Sequence, residues 1–147
     1  MSVVGVGIDV VHVPDFAEQL AVPGTRLLAE AFTAGERADV ADTGGAGDGG
    51  AGAEVDRLAA RYAAKEAFVK AWAGSRFGCS PSLPAWVPSE VEVVNDVHGR
   101  PALALRGAVA RAVHDQLGDE WRAHLSLSHD GPTAAAIVVL DLPDRDS

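Results

Sequence analysis

The segment Arg61–Trp72, RYAAKEAFVKAW, sets one carboxylate, Glu66, between Lys65 and Lys70. These are the only two lysines among twelve basic residues; the other ten are arginines. A lysine is a compact ammonium on a flexible stem, where an arginine is a planar fork. The switch to lysine beside one glutamate therefore marks a site for point charge. A second carboxylate, Asp9, interrupts the apolar run Gly5–Val11. A carboxylate there must be hydrogen-bonded, paired or metal-bound, because desolvating it alone is costly. The simpler role for Asp9 is to cap a backbone N–H at the end of a strand. For Glu66 the simpler role is an i,i+4 ion pair with Lys70, worth about 0.2–0.5 kcal/mol. Against that, Leu58, Tyr62, Glu66 and Lys70 follow at spacing four, so Glu66 extends the row expected to face the core. Arg61 and Lys65 lie on the adjoining face.

Two carboxylates on separate elements, with cations nearby and no cluster of thiols, suit a hard cation. Mg²⁺ takes one or two protein carboxylates and completes its octahedron with phosphate oxygens and water. The residues thus point to metal-assisted chemistry on a phosphate-bearing substrate. Hydrolysis with water as nucleophile, or binding without chemistry, would draw on the same residues. Ser126 and Ser128 lack the G-x-S-x-G elbow of a serine hydrolase. His129, after a strand, reads by itself as a turn residue, and Gly99-Arg100-Pro101 by itself as a hairpin turn. His12, His98, His114 and His124 share no metal-ligand spacing with cysteine.

The elements that must position these groups are a mixture of strands and helices. Ser2–Val11 reads as a buried β-branched strand. Pro14 suits the first turn of a helix over Pro14–Leu20. Thr33-Ala-Gly-Glu36 has capping-box spacing, so a second helix starts at Thr33. Asp42–Ala53, DTGGAGDGGAGA, has nothing to bury and reads as a flexible Gly-rich insert. The helix carrying Glu66 runs over Val55–Ala73, ended by Gly74. Phe77–Pro88 is a Pro/Ser-rich connection with Trp86 as a packing anchor. Strands are expected at Glu90–Asp96, Pro101–Leu105, Trp121–Ser128 and Thr133–Leu142, with a helix at Ala108–Leu117 and a turn at His129–Pro132. Without a regular βαβ alternation the class is α+β, with an antiparallel sheet packed on helices.

Composition bounds the rest. The 147 residues are expected to form a single domain, 1–147. No apolar run approaches the roughly 18 residues of a membrane span, and Asp9 within the first apolar run argues against a signal peptide. One cysteine, Cys79, cannot form an internal disulfide, and a cytoplasmic location is expected. The net charge of −9 argues against a general nucleic-acid binder.

Four motifs occur together in order: Gly7-Ile8-Asp9-Val10-Val11, Arg61–Ala71 (RYAAKEAFVKA), Gly99-Arg100-Pro101 and Leu125–Asp130 (LSLSHD). This combination resembles the 4′-phosphopantetheinyl transferases, specifically the short holo-acyl-carrier-protein synthase type. The resemblance spans nearly the whole chain apart from the Gly-rich insert and the last few residues. It implies transfer of the 4′-phosphopantetheine arm of coenzyme A to a serine of apo-acyl carrier protein, releasing adenosine 3′,5′-bisphosphate. It implies Asp9 and Glu66 as Mg²⁺ ligands, with Asp9, Glu66 and Lys70 as the catalytic group. Lys70, with Lys65 and Arg61, would supply positive charge to phosphate, and His129 with Gly99, Arg100 and Pro101 would hold the nucleotide end of coenzyme A. The base for the serine would be Glu66 or a water beside Asp9. Larger members carry two such halves and this chain carries one, which implies a homotrimer with coenzyme A between subunits. Many members have an arginine where this chain has Asp15, so docking of the carrier protein would fall to other arginines, Arg26 first.

Overall fold

The first strand, β1 (Ser2–His12), alternates so that Val6, Ile8 and Val10 face out while Gly5 and Gly7 are buried. The structure is a computed structural model that describes residues 1–42 and 50–144. Helices α1 (Val13–Ala21), α2 (Leu27–Ala31), α3 (Ala34–Asp42) and the long α4 (Ala51–Gly74) follow. A 3-10 turn at Pro88–Glu90 leads into the hairpin β2 (Val91–Asn95) and β3 (Pro101–Leu105). Helix α5 (Gly107–Leu117) and strands β4 (Arg122–Asp130) and β5 (Thr133–Leu142) complete the order. The strands are antiparallel but fall into two sheets, β1-β5-β4 and β2-β3, rather than one. The architecture is α+β, as the sequence pattern implied.

The turns are the ones the sequence marks. Asp96 Oδ1 accepts from the N–H groups of His98 and Arg100 at 2.8 and 2.9 Å, and Gly99 takes a positive φ of 77° between β2 and β3. Thr33 Oγ1 accepts from the N–H of Glu36 at 3.1 Å, which caps α3 as the capping-box spacing requires. Two boundaries differ from expectation by two residues or more, and the first is the end of β4: it runs on to Asp130, so His129 and Asp130 are paired strand residues rather than part of the turn. Helix α4 begins at Ala51 rather than Val55, so Ala51–Ala53 of the Gly-rich insert are helical. Residues 43–49, the rest of that insert after Asp42, lie outside the described residues. The five-residue α2 had no sequence signal, being too short to show a period.

Helix α4 packs across β1 and β5 through small side chains. Ala59, Ala63, Ala64, Ala67 and Ala71 have no exposed surface, with Phe68 beside them. The approach is close enough that a Cβ on Gly7 would lie 1.9 Å from Ala67 O, and one on Gly5 would lie 2.1 Å from Ala71 O. A bulkier strand would lift off the helix. Of the row Leu58, Tyr62, Glu66 and Lys70, expected to face the core, only Leu58 is buried. Tyr62 and Glu66 are half-buried and Lys70 is exposed, while the adjoining Arg61 and Lys65 are buried.

Lys65 is the larger surprise. It has 0% exposure and donates from Nζ to Glu36 Oε1 at 2.7 Å and to the carbonyls of Val91 and Pro88. Burial pushes the Lys65 ammonium down and the Glu36 carboxyl up, and each group's charge opposes the shift of the other. This pair ties α3, α4 and the start of β2 together.

Two stability measurements test the packing. Gly7→Ala is expected to lose about 3 kcal/mol or more in urea unfolding, since the intruded atom is backbone and cannot rotate away. A loss under about 0.5 kcal/mol would mean that β1 and α4 are not locked together. Lys65→Ala should cost about 3–5 kcal/mol by stranding a buried carboxylate. Lys70→Ala, which removes an ammonium that is itself half in water, should cost less than about 1 kcal/mol; equal losses would contradict the buried role of Lys65.

Candidate active site

Because β1 alternates, Asp9 lies on the same face as Gly5 and Gly7, towards α4. Its Oδ1 accepts from Lys70 Nζ at 2.8 Å, and the same ammonium reaches the Ile8 carbonyl at 3.1 Å. Lys70 therefore bonds to the strand, and the i,i+4 pair with Glu66 does not form. Glu66 is held from another direction: its Oε1 accepts from the indole N–H of Trp86 at 3.1 Å. Asp9 and Glu66 line one cleft of about 330 Å³ with Tyr62, Phe16, His12 and Asp15. Burial raises the Tyr62 phenol above its ordinary value, and the negative charges of Glu66 and Asp9 raise it further. The cleft is thus lined by three carboxylates, Asp9, Asp15 and Glu66, and the exposed ammonium of Lys70 bonds to the first of them.

The donor set fits a hard divalent cation. Each carboxylate has one oxygen held by a protein donor, and among the described residues no protein group takes Asp9 Oδ2 or Glu66 Oε2. Two carboxylate oxygens from separate elements are what Mg²⁺ uses when phosphates and water fill its remaining positions. Among the described residues no group of three or more His, Cys, Asp or Glu side chains could hold a metal on protein ligands alone. Of the four histidines without metal-ligand spacing, three pair with single carboxylates, His12 with Asp15, His114 with Asp119 and His124 with Asp141.

The residues expected to bind the nucleotide do not gather at this cleft. Arg61, Gly99 and Pro101 line a second one of about 510 Å³, with Arg57, Asn95 and Ser126. Arg61 is almost fully buried, donates to the Arg57 carbonyl at 3.4 Å, and has an Nε without a partner among the described residues. Burial lowers its pKa; Glu36 and Asp39 oppose that shift, and Arg57 adds to it. Arg100 turns instead to Asp96, at 2.6 Å, within the hairpin. His129 stands 3.3 Å from Asp56 near the start of α4. Lys65, buried against Glu36, has no surface to offer a phosphate. That corrects the expectation that both lysines serve the site. On the docking side, Asp15 pairs with His12 at 3.0 Å and the exposed Arg26 with Glu30 at 3.0 Å.

Two contributors were not legible from the sequence. Trp86 was expected only to pack, and no local spacing relates it to Glu66. The Glu36–Lys65 pair needs α3 and α4 side by side, which no pattern in either helix signals.

The chain is similar to known proteins over almost all of its length. A family model described as the 4′-phosphopantetheinyl transferase superfamily matches residues 5–138. The holo-[acyl-carrier-protein] synthase of Mycobacterium tuberculosis (strain ATCC 25618 / H37Rv) is 48% identical over 143 residues, covering 97% of this chain and 100% of that protein. The fold is similar to an ACPS–CoA complex from Chronobacterium ammoniagenes, with a TM-score of 0.84 and 37% identity over 98% of this chain and 100% of that one. It is also similar to the acyl carrier protein synthase of Mycobacterium tuberculosis, with a TM-score of 0.72 and 41% identity over 97% of this chain and 100% of that one. From its β1 carboxylate to its last strand, the chain belongs to the 4′-phosphopantetheinyl transferase superfamily.

Proposed function

We propose that this protein is a holo-acyl-carrier-protein synthase, moving the 4′-phosphopantetheine arm of coenzyme A onto a serine of apo-acyl carrier protein. The observation that carries the reading is the pair Asp9 and Glu66 opening into one cleft beside the exposed ammonium of Lys70. In the reaction the serine oxygen bonds to the phosphorus that bears the pantetheine arm, the bridging P–O bond breaks, and adenosine 3′,5′-bisphosphate leaves. Asp9 and Glu66 would hold Mg²⁺, whose chemistry here is to neutralise charge on the pyrophosphate as it divides. Lys70, fixed between Asp9 and the Ile8 carbonyl, keeps a positive charge at the cleft edge for the phosphates. The serine proton goes to Glu66 or to a water beside Asp9. Arg61, which lines the second cleft with Arg57, Gly99 and Pro101, would serve the nucleotide end there.

The separation of the two clefts supports the homotrimer. Asp9 sits on edge strand β1, while the second cleft borders edge strand β4, on the far side of β5. Copies meeting head to tail would bring unlike edges together, and such contacts form a ring where the rotation between copies closes, as a threefold does. The sheet offers an apolar outer face for that contact, with Val6 57%, Ile8 60%, Val10 62% and Ile137 41% exposed. Among the described residues no helix is long and apolar enough to cross a membrane.

The test is to incubate the protein with coenzyme A, Mg²⁺ and an apo-acyl carrier protein and to weigh the carrier by mass spectrometry. The carrier should gain the phosphopantetheine mass, and a chelator should stop the gain. Glu66→Gln should abolish transfer while retaining the circular dichroism of the parent. Hydrolysis of coenzyme A with an unmodified carrier would refute the transferase reading, and full transfer by Glu66→Gln would refute the role of Glu66.

A further inference from the structure

Trp86 belongs to the connection between α4 and β2, yet its indole nitrogen bonds to the functional carboxylate of α4, Glu66, at 3.1 Å. The bond crosses the fold, since 20 residues separate the two. The ring itself is fixed by packing. Trp86 rests against the main hydrophobic cluster and, with Val69, Trp72 and Leu83, walls an apolar cavity of about 270 Å³. Packing alone would need only a flat apolar ring, and a phenylalanine would supply one. The nitrogen adds one directed donor with no accepting capacity.

That donor has a particular electrostatic quality. Lys70 stands four residues after Glu66 and could have neutralised it, but its ammonium is on Asp9. Glu66 is held by a neutral group, so its full negative charge stays on a carboxylate whose second oxygen no described protein group takes. A glutamate on a helix otherwise samples many rotamers, and each must be given up when a cation binds. A neutral hydrogen bond removes that freedom beforehand and leaves the charge in place.

We propose that Trp86 is the positioning residue for Glu66: its indole N–H pre-sets one carboxylate oxygen so that the other is presented to the cation. This rests on the reading of Glu66 as a cation ligand. The role differs from that of Trp72, whose indole nitrogen donates to Gln116 at 2.7 Å, away from the cleft.

The test measures binding of Mn²⁺ alone, from the electron paramagnetic resonance signal of the free ion, without coenzyme A or carrier. Trp86→Phe should weaken Mn²⁺ binding about tenfold, the size of effect seen when a ligand's supporting hydrogen bond is lost. Trp72→Phe, which also removes a core indole, should leave the affinity at the parent value. If Trp86→Phe binds Mn²⁺ as the parent does while Glu66→Gln binds it weakly, the positioning role is wrong and the ligand role stands. If Glu66→Gln keeps parent affinity, the ligand role itself is wrong and the proposal falls with it. A measurement on the unaltered protein covers a Trp86→Phe that fails to fold. On titration with Mg²⁺, the indole N–H resonance of Trp86 should shift and that of Trp72 should not. A Trp86 resonance that stays in place at saturating Mg²⁺ would overturn the proposal.

Discussion

Two carbonyl oxygens of α4, those of Ala67 and Ala71, occupy the places where β-carbons on Gly7 and Gly5 would have to be. That steric fact draws β1 against the helix, and the rest of the site depends on it. Once the strand lies so close, the next residue on the same face, Asp9, reaches the helix's last lysine. The alanines at 63, 64, 67 and 71 are the helix's half of the same contact, since larger side chains would hold the strand away. Local composition on two distant segments thus sets the distance between a strand carboxylate and a helix carboxylate.

The charges are then sorted by depth. Lys65 and Lys70 differ by five positions, which turns them to different sides of α4. Lys65 meets Glu36 and two carbonyls in the interior, where a lone ammonium would be too costly to desolvate. Lys70 stays at the surface, where its charge remains usable by a ligand. The same division applies to the carboxylates. Glu36 is consumed by the core, while Asp9 and Glu66 each keep an oxygen for the cleft.

What the sequence makes legible follows from this sorting. Strand β1, the helix carrying Glu66 and the hairpin at Gly99 are readable because alternation, helical period and turn chemistry are local signals. Asp9, Glu66 and Lys70 stand out by residue type against their neighbours, and the structure places all three together. The buried fate of Lys65 is not readable, because it depends on where α3 and β2 arrive along α4. The Trp86 bond is hidden for the same reason, since its donor comes through a connection with no period of its own. The division of the expected residues between two clefts depends on sheet order, which turn residues do not encode.

The central claim is that the glycine-mediated contact makes Asp9 and Glu66 two ligands of one cation. A double-mutant cycle on Mn²⁺ affinity tests it most directly, using Asp9→Asn, Glu66→Gln and the pair. Ligands that share one ion are coupled, so the double variant should bind little more weakly than either single variant. Losses that simply add would contradict the claim, because they would show two carboxylates acting independently.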